Sequence, residues 1–362
     1  MANLLWFIGA GASAPFGIPT MQKMVVEFGE GLKKSESSAE ISLYDKIWRF
    51  LEANLGRQVD LEAVMTIVES IVNWSPDKLG IAALYHATGN LERQDPGQRE
   101  VRVNPPEPET VETARKLQNR FEEYIKVKCE IPTTNVPKIE EAYGKLFDRI
   151  GVKFGGRNHF GHLASDWPIF TTNYDLTLER YWRDCLKTRL NTGFSYDEIA
   201  GCYLSTPDEL LGGGSVRLFK LHGSVSWLMH PEYGLTEHRA KPEAMKTWTG
   251  TPFLGQVMLY PVVEKELYLE PYMTMYRQLG RELSGTNFWM VVGYSFGDRV
   301  VRDMFIRCSS VQKRMVILHP HANEVVKRLE GFKGKVVPIN RRFADEHADD
   351  SYARCAQSLL HD

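Results

Sequence analysis

The stretch Leu4-Leu-Trp-Phe-Ile8-Gly9-Ala10-Gly11-Ala12-Ser13-Ala-Pro-Phe-Gly17-Ile-Pro19 decides how the rest of the chain reads. Leu4 to Ile8 is an unbroken apolar run of strand length, and it empties into glycines. That pattern predicts a parallel strand buried on both faces, followed by a turn able to cradle a phosphate. Gly9 and Gly11 lack the Cβ that would hold a pyrophosphate away from the backbone, and amides at such a turn and at a following helix start point towards negative charge.

Working outward, the next region is helical in pattern. Met21–Phe28, Ile41–Leu55, Leu61–Val72, Glu109–Lys128 and Lys138–Ile150 place apolar residues three and four apart, so each buries one face. Between Gln94 and Pro108, prolines and charges predict a loop. Residues 21–165 thus read as a helical insertion domain. Residues 1–20 and 166–362 supply the domain that it interrupts.

From Trp167 the texture changes to short apolar runs, each ending in Gly, Asn, Asp or His. Pro168–Thr171, Ser215–Leu221, Gln256–Tyr260, Asn287–Val292, Arg314–Leu318 and Lys335–Ile339 read as strands, and Leu176–Lys187 as a helix. Strands separated by helical stretches predict an α/β fold with a Rossmann-like parallel sheet. The polar clusters all follow the carboxyl ends of strands, which is where open α/β sheets bind ligands.

Composition sets the outer limits. Apolar content of 43% and charged content of 25% over 362 residues fit a soluble globular chain with room for more than one domain. With 44 basic against 46 acidic side chains the formal charge is -2, so no global field attracts nucleic acid. The pairs Lys327-Arg328 and Arg341-Arg342 read as solvated faces. No apolar run approaches the ~20 residues of a membrane span or resembles a signal peptide, and the expected location is cytoplasmic. Cys129, Cys185, Cys202, Cys308 and Cys355 include no Cys-x-x-Cys pair, which argues against a zinc ribbon. His159 and His162 flank a glycine without a third ligand in view.

Gly9-Ala-Gly-Ala-Ser13, Gly17-Ile-Pro19, Thr171-Thr-Asn-Tyr-Asp175, Leu221-His-Gly-Ser224 and Gly293-Tyr-Ser-Phe-Gly-Asp298 occur in the order of the sirtuin signatures. The sequence resembles the sirtuin-like NAD hydrolases of bacterial anti-phage systems over residues 4–19 and 167–340, and not across the helical stretch. The resemblance implies NAD as substrate, with His222 as general base on the ribose hydroxyls and Asn173 orienting the ribose and the attacking water. It implies that Gly9, Ala10, Gly11, Ser13, Pro19, Thr172, Asp175, Gly293 and Ser295 contact the dinucleotide, Asp175 at the nicotinamide carboxamide. His319 stands where sirtuins usually place an asparagine near the adenine-side ribose.

Three departures from the deacylase pattern point to hydrolysis. No cysteine pair follows His222-Gly223, so no structural zinc is expected; Thr20-Met21 replaces the Asp-Phe-Arg that shields the reactive ribose; and Thr172 replaces a glutamine. A less shielded ribose admits water. The expected reaction is NAD to nicotinamide and ADP-ribose, as the NAD-depleting effector of an anti-phage system. The alternatives are a deacylase or ADP-ribosyltransferase, and an inactive sensor of NAD or ADP-ribose that acts by assembly. The resemblance further implies a homo-oligomer beside a partner such as a HerA-like DNA-translocating ATPase, since the sequence has no Walker loop of its own. Neither direct nucleic-acid binding nor membrane association is expected.

Overall fold

A computed structural model describes residues 4–35, 37–54, 59–74, 105–155, 167–187, 190–212, 216–238, 255–258 and 270–360. The chain divides into two compact units. One comprises Met1–Ile18, Cys129–Leu259 and Glu266–Asp362, the other Pro19–Lys128 and Tyr260–Lys265.

The first unit is built on a six-stranded parallel sheet. Its strands are β1 (Leu4–Ile8), β2 (Pro168–Thr171), β5 (Arg217–Lys220), β9 (Phe288–Val292), β10 (Arg314–His319) and β11 (Lys335–Asn340), in the order β11-β10-β9-β1-β2-β5. Counted in chain order within the sheet this is 3-2-1-4-5-6, the doubly wound Rossmann arrangement, whose order reverses between β1 and β9. Every side chain of β1 is fully buried, as a strand covered on both faces requires. Helices α5 (Val136–Gly155), α7 (Tyr272–Gly285), α8 (Arg299–Arg307), α9 (Ala322–Lys327) and α10 (Ala348–Leu360) also belong to this unit. Phe147 of α5 packs edge-on against Trp6 of β1 at 4.8 Å. The sequence reading places α5 in the insertion; its apolar face instead clusters with the sheet.

A second sheet, of five antiparallel strands, departs from expectation. It runs β3 (Phe194–Asp197), β4 (Cys202–Ser205), β7 (Gly234–Glu237), β6 (Gly223–His230) and β8 (Gly255–Met258) in that spatial order. The run at Gln256–Tyr260, expected in the parallel sheet, contributes β8 to this one. β3, β4, β6 and β7 were not anticipated because their apolar residues are interrupted by polar ones: β4 is half-buried throughout, and β3 buries only Phe194. The expected helix over Leu176–Lys187 is a short α6 (Thr177–Arg180) continued by a π-helical turn, Tyr181–Leu186.

The second unit is helical: α1 (Met21–Leu32), α2 (Ser38–Asn54), α3 (Leu61–Val72) and α4 (Pro108–Lys128). Phe28 stacks on Phe121 with ring centroids 3.6 Å apart. Gly29 admits the Tyr44 ring, where a Cβ would sit 2.7 Å from Cε1, and the Tyr44 hydroxyl donates to Val25 O at 2.8 Å. Arg120 pairs with the buried Glu40 at 2.7 Å. Pro108 opens α4, a position where proline's missing N–H costs nothing. Most of the expected Gln94–Pro108 loop, Ser215, His159 and His162 lie outside the described residues. Among the described residues no helix is long and apolar enough to cross a membrane.

Candidate active site

The reversal of strand order puts the loop leaving β1 against the loop leaving β9. Gly9 donates its amide to Val292 O (2.8 Å) and Gly11 to Gly293 O (2.9 Å). A Cβ on Gly9 would lie 2.6 Å from Tyr294 Cα, one on Gly11 2.9 Å from Gly293 O, and one on Gly293 2.2 Å from Ala12 N. Gly293 also holds φ at +65°. These three positions therefore require glycine for loop-to-loop packing.

This revises the sequence reading of the turn. The amides of Gly9, Gly11, Ala12 and Ser13 all have backbone acceptors within the protein, so they are not a ready-made anion cradle. Two short 3-10 turns, Ala10–Ala12 and Ala14–Phe16, follow β1 in place of a helix. Ser13, expected at the diphosphate, is fully buried: Asn173 Nδ2 donates to its Oγ at 3.0 Å, and Thr177 Oγ1 lies at 3.3 Å. Ala10 and Gly11 are half-buried.

Asn173 is held by the same loop. Its Nδ2 also donates to Gly9 O at 3.1 Å, and its amide N–H donates to Thr171 Oγ1 at 3.0 Å, a hydroxyl that in turn donates to Ile8 O at 2.8 Å. Both side-chain protons are thus engaged, while the buried Oδ1 has no hydrogen-bond partner among the described residues. A buried carbonyl oxygen without a donor carries a desolvation cost of ~1–3 kcal/mol, which a hydroxyl or a water molecule would relieve.

The chain from Asn173 onward is braced from below. Lys220, 1% exposed in the last position of β5, donates to Asp175 O at 2.5 Å and pairs with Glu179 Oε1 at 2.7 Å. Burial raises the Glu179 carboxyl, and the Lys220 ammonium pulls it back. Asp175, expected at the nicotinamide, accepts through Oδ1 from the Thr177 amide (3.0 Å) and hydroxyl (2.7 Å), so this oxygen caps α6. Thr172 is half-buried. Pro19 opens the second unit.

His222 stands between β5 and β6 and is 2% exposed. Its ring lies 6.4 Å from that of Tyr174, whose carbonyl accepts from Val225 N at 3.0 Å. Its Nε2 lies 2.9 Å from Asp298 Oδ2. The other oxygen of Asp298 accepts from the amides of Val300 (2.8 Å) and Val301 (3.3 Å), capping α8. Gly9, Asn173, Tyr174, His222 and Asp298 are therefore linked in series at the carboxyl ends of β1, β2, β5 and β9, and Gly293 packs on the glycine turn. The glycine turn, Asn173 and His222 thus all follow strands of the one parallel sheet, after β1, β2 and β5 respectively.

Further along the same edge, Ser295 is half-buried, and its carbonyl accepts from Arg328 at 3.0 Å. His319 ends β10; its Nδ1 accepts from the His321 amide at 3.0 Å, and burial drives its pKa down to about 4, helped by the positive neighbours His321 and Arg328.

Residues 168–330 match the family model described as a SIR2-like domain. The match spans less than half of the chain; it includes Asn173, His222, Gly293, Ser295 and Asp298, and leaves out the glycine turn after β1. Among solved structures, a triple mutant of a Sir2 homologue bound to 2'-O-acetyl ADP-ribose is 12% identical, with 99% of this chain and 95% of that one covered and a TM-score of 0.44. A Sir2 homologue–NAD complex is 12% identical over 99% and 90% of the two chains with a TM-score of 0.41. A further Sir2 homologue, a mutant bound to ADP-ribose, is 13% identical over 99% and 94%, with a TM-score of 0.44. No curated protein sequence matches the chain.

Two residues around the candidate site carry roles that the sequence motifs do not assign. Lys220 was visible as a charge inside an apolar strand, a placement that demands buried partners. Asp298 was visible as a helix N-cap, a role that engages only one carboxylate oxygen and leaves the second for His222. Among the described residues no cluster of three His, Cys, Asp or Glu is arranged to hold a metal ion.

Proposed function

We propose that the protein cleaves the nicotinamide–ribose bond of NAD with water, giving nicotinamide and ADP-ribose. A SIR2-like domain supports an NAD-using enzyme with sirtuin-type chemistry. The observation that carries the finer reading is the buried, unsatisfied Oδ1 of Asn173, a residue bonded to Gly9 beside the switch point and next in the chain to Tyr174, whose ring meets that of His222.

The chemistry follows from charge. Breaking the C1'–N bond leaves its electron pair on nicotinamide, which departs neutral, and builds oxocarbenium character on the ribose. His222 accepts a hydrogen bond from a ribose hydroxyl and so feeds electron density towards the reacting carbon. Asn173 Oδ1 accepts from the attacking water and fixes its approach, while its two protons are committed to the protein. Water forms the new C1'–O bond and loses its proton to bulk solvent by way of the base. Ala10, Gly11, Gly293 and Ser295 border the dinucleotide, and Thr172, Asp175 and the backbone of Gly9 complete the proposed contacts.

NAD depletion as an anti-phage response, a homo-oligomer, and a partner of the HerA-like ATPase class belong to the same proposal, supported by motif resemblance. The test is to incubate the purified protein with NAD, with and without acetylated peptide, and to quantify nicotinamide and ADP-ribose by chromatography. Stoichiometric release of both without peptide is expected. Release that depends on peptide identifies a deacylase, and NAD binding without cleavage in every assembled state identifies a sensor; either result overturns the hydrolase.

A further inference from the structure

We propose that Asp298 is the positioning residue for His222, holding the imidazole with its proton on Nε2 and thereby making Nδ1 the nitrogen that acts as base. This deepens the reading of His222 as the general base and rests on it.

Three observations support the assignment. The imidazole and the carboxylate are both buried, at 2% and 8% exposure, and Nε2 to Oδ2 is 2.9 Å. A carboxylate only accepts hydrogen bonds, so the proton shared across this contact is placed on Nε2 when the imidazole is neutral. Asp298 is also unable to turn away: its Oδ1 is fixed by the amides of Val300 and Val301 at the start of α8, a nine-residue helix whose N-terminal dipole favours the ionised carboxylate. The helix cap and the imidazole contact thus use different oxygens of one carboxylate. A buried carboxylate that fixes the tautomer of a catalytic imidazole, without taking its proton, is a recurrent arrangement in hydrolases.

The backbone before it is shaped to deliver that carboxylate. Phe296 sits at φ +54°, a left-handed conformation rare for an aromatic residue, and its ring is fully buried between Tyr294 (4.9 Å) and Phe305 (5.1 Å). The loop is over-determined by packing, so the position of Asp298 is not left to the flexibility of an exposed turn.

Two variants separate positioning from capping. Asn and Ser both serve as N-caps, so D298N and D298S keep α8 capped. Ser is too short to reach the imidazole. Asn reaches it and, with its Oδ1 retained by the two amides, presents an NH2 donor that drives the imidazole proton to Nδ1. Two-bond 15N–1H correlation spectra of the histidine rings, with His222 assigned by its absence in H222Q, are expected to show the Nε2–H tautomer in the wild type and Nδ1–H in D298N. In both variants kcat for NAD cleavage is expected to fall by ~10²-fold or more, with KM within about threefold. An unchanged tautomer in D298N, or wild-type kcat in either variant, overturns the proposal. The spectra decide the Asp298–His222 relation without turnover, so a wild type that does not cleave NAD defeats the function proposed above and leaves the tautomer result standing by itself.

Discussion

Two loops leave neighbouring strands at the centre of the parallel sheet, and they use their residues in opposite ways. The loop after β1, Gly9–Ser13, turns its polar groups inward: its amides bond to backbone carbonyls, and its one hydroxyl is handed to Asn173 and Thr177. The loop after β9, Gly293–Asp298, passes through two left-handed residues and ends on a carboxylate that reaches His222. Both are glycine-rich, yet one is a spacer fixed by sterics and the other delivers a side chain. Glycine content alone does not separate these roles. What separates them is where the amide protons go.

Substitutions should divide along the same line, with stability lost at the seam between the loops and rate lost at the side chains. The largest expected effect is at Gly293→Ala. Its new Cβ would fall 2.2 Å from Ala12 N and 2.5 Å from Gly11 C, both backbone, on a residue already at φ +65°. A loss of more than ~4 kcal/mol, seen as failure to fold or a drop in Tm of well over ten degrees, follows from strain and overlap acting together. A Tm within a few degrees of wild type would show that the loops do not meet as described. His222→Gln comes next, because glutamine can still donate to Asp298 but is not a base. We expect kcat for NAD cleavage to fall by ~10²–10⁴-fold with little change in Tm, and full retention of rate would remove His222 from the chemistry.

Asn173→Ala touches both sides of the division, since the side chain braces Gly9 and Ser13 and also holds Oδ1 ready. Rate is expected to fall by ~10²-fold and the Tm to drop with it. Ser13→Ala then sharpens the assignment of the first loop. As a brace, Ser13 should cost ~1–2 kcal/mol of stability and only a few-fold in kcat. As a diphosphate contact it would instead raise KM for NAD and leave the Tm alone. Steady-state kinetics beside thermal unfolding tells these apart.

How much of this was legible follows from the same physics. The central parallel strands announce themselves because burial on both faces demands unbroken apolar runs, as in Leu4–Ile8 and Phe288–Val292. The antiparallel sheet does not: Cys202–Ser205 is half-buried throughout, and its pairing depends on long-range partners that no local pattern encodes. Gln256–Tyr260 reads as a strand, and Gln256–Met258 within it lie in β8, but an apolar run does not state which sheet it joins. At the site, Asn173 and His222 were found as strand-end residues within a series of motifs. The loop-to-loop packing of Gly9 and Gly11 is not legible in the sequence, because a glycine that admits a phosphate and one that admits another backbone look identical there. Asp298 was overlooked for a related reason: a helix cap is already a sufficient explanation for an aspartate, and only coordinates reveal a second use.

The smallest expected effect lies beside the second loop, where Arg328 donates to Ser295 O and His319 is pushed down to about 4 by burial and by the positive charges of His321 and Arg328. Above the unfolded value near ~6.5, His319 is neutral in both states and its contribution is intact. As pH falls from there towards 4, the unfolded chain takes up a proton that the folded chain refuses, so stability decreases, and the loss is complete once both states are protonated. The imidazole retains partial contact with solvent, which reduces the effect to under ~1 kcal/mol. His319→Asn removes the titration while keeping an acceptor for the His321 amide. Urea unfolding at pH 7 and pH 5 should therefore show the wild type losing ground to the variant at the lower pH. A stability difference independent of pH would mean that this imidazole charges as readily in the folded protein as in the unfolded chain, and that the end of β10 is more open to water than its packing indicates.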